Sequence, residues 1–463
     1  GRLIGEAKPD GYESHQEYDE SHDLVRVWDT DGRETVNTYD NSHNLLISRE
    51  KIGEDRWKET RYQYDEKGRC VLAREALGNE TVRQFETDRA YPSLVITPEG
   101  EETGDEYDRV GRRMAVSNTY GNVHLSYNSR NFVTKRTDGE GNVSRWFYDR
   151  MGKLVSYYPA GYWEEKKEGY EFLYNLQERR VDTVSPMKNH NRLFRDFDGN
   201  ITREIHPVSY QEKGEDGEGT RYEYDWYGNQ IRIFYADGGC ERRFYDPDGN
   251  LIKQVMPEAY DPETDDGAGY TYSYDPMGRL SRVEDPDGNL AHSYRYNGHG
   301  QTVWEADGEG TEHFYEYNGL GLKSRERVRI RKEENVAFYR VTAYEYDLQG
   351  NKIEEAYGQE EVAGDKDPET WHRIGFAYDR DNRLVKVWDE FGAEARYAYD
   401  CLGNLVMEEQ VIEEGIRRHI RYSYNKNGWR VKKEERIQGN GKEVTSAVTC
   451  YGYDKGVNLT KIT

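Results

Sequence analysis

The residues best able to do chemistry in this sequence are its carboxylates, with 89 Asp and Glu against 65 Lys and Arg. The most pointed arrangement is Asp261-Pro262-Glu263-Thr264-Asp265-Asp266-Gly267, where Asp261, Glu263 and Asp265 alternate as the oxygen ligands of a calcium loop do. The match to an EF-hand breaks at two places. Gly267 stands at the seventh position of the loop rather than the sixth, and Tyr272 occupies the twelfth, where a bidentate glutamate belongs. Proline, glycine and carboxylates also make an ordinary soluble loop. Among so many acids a pair at glycosidase spacing arises by accident, so no general acid and base are assigned. The histidines are scattered: His299 and His313, or His15 and His22, show no ligand spacing on a common strand face. Serine and glycine never form a nucleophile elbow. Cys70, Cys240, Cys401 and Cys450 lie far apart with no CxxC spacing, which reads as free thiols. The expectation is no catalytic site, no cofactor, and no metal apart from the calcium candidate.

A formal net charge of −24 disfavours nucleic acid and anionic membranes, which both need clustered Lys and Arg to replace counterions. The chain contains no run of 18 apolar residues and starts without a basic, apolar leader, so neither a membrane span nor a signal peptide is expected. At 35% hydrophobic residues it is too polar for a thick aliphatic core, yet 40 tyrosines and 13% aromatics set it apart from disordered chains. Tyrosine is the apolar surface available to it.

What positions these residues is a repeat. The unit Tyr-Asp-x-x-Gly-(Asn/Arg)-(apolar) is clearest at Tyr148-Asp149 with Gly152, Tyr245-Asp246 with Gly249, Tyr274-Asp275 with Gly278 and Tyr399-Asp400 with Gly403. Its tyrosine recurs from Tyr18 to Tyr453, the tightest intervals being about 21 residues, as from Tyr127 to Tyr148, with Phe85 and Phe197 filling two wide gaps. A second turn, Asp-x-x-Gly, falls midway, as at Asp29-Thr30-Asp31-Gly32 and Asp285-Pro286-Asp287-Gly288. Aspartate opens such turns by accepting backbone N–H bonds, and glycine closes them in a glycine-bulge hairpin. Runs such as Tyr270-Thr271-Tyr272-Ser273-Tyr274 alternate with period two, the mark of a strand. The tyrosines then share one face, and the other carries Glu, Arg, Ser and Thr.

The fold expected is all-β: an array of antiparallel hairpins, about 38 strands in one layer, coiling by sheet twist into a hollow shell of about 60 Å diameter if closed once. Extra length at His206 to Gly219, Met256 to Gly269, Arg329 to Val336, Ala356 to Trp371 and Gln438 to Thr445 sits at the second turn and places insertions along one edge.

These Tyr-Asp-x-x-Gly units with Asp-x-x-Gly midway resemble the RHS/YD-repeat family of bacteria, related to the teneurin YD shell, and the resemblance covers nearly the whole chain. It implies a cocoon around a C-terminal toxin or effector of the same polypeptide, delivered by a secretion or toxin-complex component and secreted or displayed at the surface of a bacterium. Residues 1–463 are read as one shell segment of a longer chain, without the effector, the cleavage segment or an N-terminal plug, and with no membrane insertion of its own. The aspartate-dependent self-cleavage segment of the family has no counterpart before Thr463. A surface adhesion or carbohydrate-binding scaffold is the alternative.

Overall fold

Alternating strands joined by aspartate-opened turns account for nearly every element. The computed structural model describes residues 2–463 apart from 164–167, 214–216, 218, 334–335, 363–369, 440–441 and 456–457. Strands run from Gly5–Ala7 to Leu459–Ile462, and 39 of them form a single sheet. Each pairs antiparallel with its neighbours in sequence, as Tyr270–Tyr274 with Leu280–Glu284 and that strand with Leu290–Tyr296. At one place the sheet skips: Leu251–Val255 pairs directly with Tyr270–Tyr274 across a small hairpin, Tyr260–Asp261 with Asp266–Gly267.

The register sorts the side chains. Tyr222, Tyr224, Tyr245, Tyr272 and Tyr274 fall on one face, here the tyrosine face; Glu223, Arg232, Arg242, Lys253 and Val255 fall on the other. That second face carries a cross-strand ladder of ion pairs: Arg26–Glu34 at 2.6 Å, Arg49–Glu59 at 2.6 Å, Lys386–Glu394 at 3.0 Å and Arg417–Glu409 at 2.6 Å, with Arg61 joining Glu59 along its own strand at 2.6 Å. It is not uniformly wet. The fully buried side chains Ile205, Val255 and Val341 all lie on it. Two are covered by insertions, since a Cβ at Gly217 or Gly267 would meet Ile205 or Val255 at 2.9 Å.

The insertions are therefore not a rim of loops. His206 to Gly219 contains the helix Pro207–Lys213, whose Tyr210 stacks on His190 at 4.5 Å. Met256 to Gly269 forms the small hairpin. Arg329 to Val336 and Gln438 to Thr445 lengthen strands instead, to Lys323–Glu333, Val336–Tyr346, Arg430–Gly439 and Lys442–Tyr453. Ala356 to Trp371 continues a strand to Val362 and then leaves the described residues.

The ribbon winds back on itself. The Lys8–Tyr12 turn meets the Asn297–Gln301 turn, with Lys8 Nζ 3.3 Å from the Gly298 carbonyl, after 25 strands of the main sheet. At about 4.8 Å per strand that circumference gives a diameter of roughly 35–40 Å. The wall is narrower than the 60 Å expected above because successive coils overlap edge to edge; a single closed ring would need every strand.

Candidate functional site

The repeated turn is the first functional element. At Tyr148-Asp149, Asp149 Oδ1 accepts the N–H groups of Met151 and Lys153 at 2.8 and 2.9 Å, and Gly152 N donates to the Asp149 carbonyl. Gly152, Gly249, Gly278 and Gly403 have φ of 90°, 85°, 74° and 80°, a region where any Cβ is strained. Where asparagine follows glycine its amide closes the turn: Asn250 Nδ2 to Asp246 Oδ2 is 2.9 Å and Asn404 Nδ2 to Asp400 Oδ2 is 3.0 Å. Arginine does more. Arg279 grips Asp275 Oδ2 at 2.7 Å, lies over the Tyr296 ring 5.0 Å away, and donates to the Asn297 carbonyl at 2.9 Å, so each such turn is stapled to the next repeat.

The tyrosine hydroxyls tie the repeats in the opposite direction, a device the alternation did not reveal. Tyr148, Tyr245, Tyr274 and Tyr399 donate to the carbonyls of Val133, Gln230, Leu251 and Leu384 at 3.0, 3.1, 2.8 and 2.9 Å, each acceptor opening a strand of the preceding repeat. Burial raises the hydroxyl pKa of Tyr148, Tyr274 and Tyr399, which keeps them as donors. Phe85 does hold the tyrosine place, with Arg69 across its ring at 4.7 Å. Phe197 does not: it lies inside the turn, 87% exposed, and Arg195 occupies the end of the strand before Asp196. The turn there opens at Asp196, two residues before the Asp198 that follows Phe197.

Turn carboxylates set the acid limit of the fold. The Asn44 and Asn250 amides hold Asp40 and Asp246 below the usual carboxylate range, and the backbone N–H groups of Arg69 and Arg112 do the same for Asp65 and Asp108. A group with a depressed native pKa contributes stability above its unfolded value, about 3.9 for aspartate, and loses it as pH falls through the native value. The urea midpoint should accordingly be flat above about pH 5 and fall steeply below about pH 4, read by circular dichroism.

The calcium candidate has another use. Asp265 meets Arg232 Nε at 2.9 Å, Arg242 Nε at 3.2 Å and the Tyr260 hydroxyl at 2.9 Å, and Arg232 brings its carboxyl down to about 2. It pins the small hairpin onto the charged face. Asp261 caps its own turn through the Glu263 N–H at 2.9 Å and the Thr264 hydroxyl at 3.0 Å. Among the described residues no group of three or more His, Cys, Asp or Glu is placed to hold a metal ion.

The second functional element is the seam where coils meet. Second-type turns of the first coil face YD turns of the next, some 280 residues on. Arg33 Nη2 meets Gln301 Oε1 at 2.9 Å, Asn79 Nδ2 meets Gln349 Oε1 at 3.1 Å, Thr97 Oγ1 meets Asp381 Oδ2 at 3.0 Å and Arg383 Nη1 meets Glu101 at 3.0 Å. Further along, Tyr120 donates to Asp400 at 2.7 Å and Asn427 to Asp138 at 2.8 Å. The side facing up is mostly acid or hydroxyl, the side facing down mostly Arg, Asn and Gln. The five insertions described above all belong to second turns after Gly161, whose Cβ would meet Lys455 across the seam. Arg383→Glu is expected to part the coils locally, seen as faster hydrogen exchange at 97–101 and 379–383, and Glu101→Arg in the same chain to restore protection; unchanged exchange in the single variant would sink this account of the seam.

The family model for the teneurin YD-shell matches residues 104–361. The chain belongs to the teneurin YD-shell family. No curated protein matches this YD shell in sequence. Among solved structures it is similar to the crystal structure of TcdB2-TccC3-TEV, with a TM-score of 0.55 and 13% identity over 99% of this chain and 26% of that one. It also aligns with TcdB2-TccC3 (TM-score 0.46, 13% identity, 96% and 28% of the two chains) and with the Photorhabdus luminescens Tc holotoxin pore (0.42, 12%, 96% and 27%). The YD shell thus spans about a quarter of the length of those chains. At such identities the likeness is one of fold; the structural-shell role comes with the family match.

Proposed function

We propose that this YD shell is part of the wall of a capsule that encloses a toxin or effector carried elsewhere on the same polypeptide and keeps it apart from its surroundings until delivery. The observation that carries the reading is the seam: a ribbon that docks edge on edge after each circuit makes a continuous wall, which a rod or an open adhesive sheet has no need of. The likeness of its fold to the TcdB2-TccC3-TEV chain points the same way. The bore also limits the cargo. Taking about 5 Å of side chain from each side of the wall leaves roughly 25–30 Å, less than the span of a folded 100-residue domain with its radius of gyration of about 13 Å, so the segment threaded here is extended or partly unfolded. Export from a bacterial cell into a competitor or host is the setting in which such a wall serves.

The test is limited proteolysis of the full-length protein purified from its own host, with intact mass and terminal sequencing. A capsule predicts a separate or cleavable C-terminal polypeptide that stays bound and resists protease until the wall is opened by acid. A C-terminal region digested at the rate of an isolated peptide, or a chain that ends in a wall anchor without an effector, would overturn the reading in favour of the surface scaffold.

A further inference from the structure

Many cations of the charged face meet a carboxylate across the strand pair, and others, such as Arg221 and Arg295, cover an aromatic ring. Between the strands Gly121–Tyr127 and Tyr170–Asn175, however, Lys135 stands directly opposite Arg145, an arrangement of like charges that costs stability unless something neutralises it. Among the described residues neither has a carboxylate within salt-bridge distance, and the buried Arg145 Nε has no hydrogen-bond partner. These two side chains line a cleft of about 620 Å³ together with Arg130, Arg150, Phe132 and Phe147. That volume falls in the range of small-ligand sites, about 300–1,000 Å³. The carboxylate in the lining, Asp149, is occupied by the N–H groups of its own turn. In a chain of net charge −24, four cations and a single carboxylate line this cleft.

The same surface is aromatic. Phe147, 38% exposed, stacks on Trp163 at 5.1 Å, Tyr158 meets both rings edge-on at 5.8 and 4.8 Å, and Arg145 lies 5.4 Å over Trp163. Flat rings beside unpaired cations, with the hydroxyls of Ser126 and Ser156 on the same face, suit the apolar face of a pyranose that also carries a carboxylate. A peptide strand cannot add here, because the strands on both sides already hold the backbone groups. We propose that this cleft binds an acidic oligosaccharide, of the uronic or sialic acid class. The site stands independently of the capsule reading, since it needs only the local wall.

The experiment is calorimetric and tryptophan-fluorescence titration of the protein with sialyllactose and trigalacturonate, with lactose, hexaglutamate and a short oligonucleotide alongside. Saturable binding of at least one acidic sugar, absent with lactose and weakened about tenfold or more in Lys135→Gln and Arg145→Gln, is the expected result, the loss of a charge-assisted hydrogen bond. Arg61→Gln, which removes a paired cation of the same face, should bind as the parent does. Arg150→Gln, in an exposed turn, gives a second reading if Arg145→Gln fails to fold. No saturable binding of either acidic sugar, binding indifferent to these substitutions, or equal binding of hexaglutamate or the oligonucleotide would each overturn the proposal.

Discussion

Arg192→Ala is expected to destabilise the shell by about 3–5 kcal/mol, the usual consequence of stranding one member of a buried ion pair. Arg192 is 3% exposed and Asp182 5%, and the guanidinium meets the carboxylate through two bonds, Nε to Oδ1 at 2.7 Å and Nη2 to Oδ2 at 3.0 Å. Tyr210, carried by the inserted helix, lies 5.4 Å over the guanidinium and closes the site from above. Alanine leaves the Asp182 carboxylate dry, with the looser contact to Arg180 Nε, 3.4 Å from Oδ1, in place of the two-bond pair. The double variant Asp182→Leu/Arg192→Leu removes both charges and should recover most of the loss, because the pair itself is worth little against apolar side chains of similar volume. Urea unfolding together with hydrogen exchange of the strands Arg180–Val184 and His190–Arg195 reads both outcomes. A shift below about 1 kcal/mol for Arg192→Ala would mean that water reaches the pair.

Tyr274→Ala should cost about 3 kcal/mol, in line with truncation of other packed aromatics, whereas Tyr274→Phe should cost about 1 kcal/mol. The difference separates the two roles of the ring and its hydroxyl. The ring fills the tyrosine face; the hydroxyl supplies the 2.8 Å bond to the Leu251 carbonyl of the repeat before. Trp226, at the tip of the next-but-one YD turn upstream and 96% exposed, is the control: its alanine variant should stay within about 0.5 kcal/mol of the parent. Alkaline conditions test the same bond from another side. With native tyrosine pKa values raised by burial, their contribution is full below the unfolded value of about 10 and is lost as pH rises through the native one. Tyrosinate absorbance should therefore appear in step with loss of β-structure.

Much of this molecule was legible because each repeat states its own geometry. Aspartate and glycine mark the turns, alternation marks the strands, and the expected count of about 38 strands lies close to the 39 of the main sheet. What stayed hidden depends on residues far apart in sequence. Glu101 and Arg383 say nothing of each other until the ribbon has come round once, so neither the seam nor the narrow bore could be read from spacing. Asp265 looked like a ligand because its arginine partners, Arg232 and Arg242, lie on strands 33 and 23 residues earlier. The insertions were placed only along one edge because nothing in Tyr210 or Tyr260 declares which face it will cover. Phe197 was misplaced for a local reason: an aromatic directly before an Asp-Gly pair imitates the Tyr-Asp unit two residues out of place.

The order in which the wall can be made follows from the offset between coils. Every hairpin finds its neighbour within a few tens of residues, so a growing chain can add strands to the last one formed while still on the ribosome. The contacts across coils cannot begin until roughly the Asp275 turn has emerged, and from then on each new YD turn arrives opposite an edge that is already complete. Synthesis itself then lays down the second course on the first, one turn at a time from the N-terminal end.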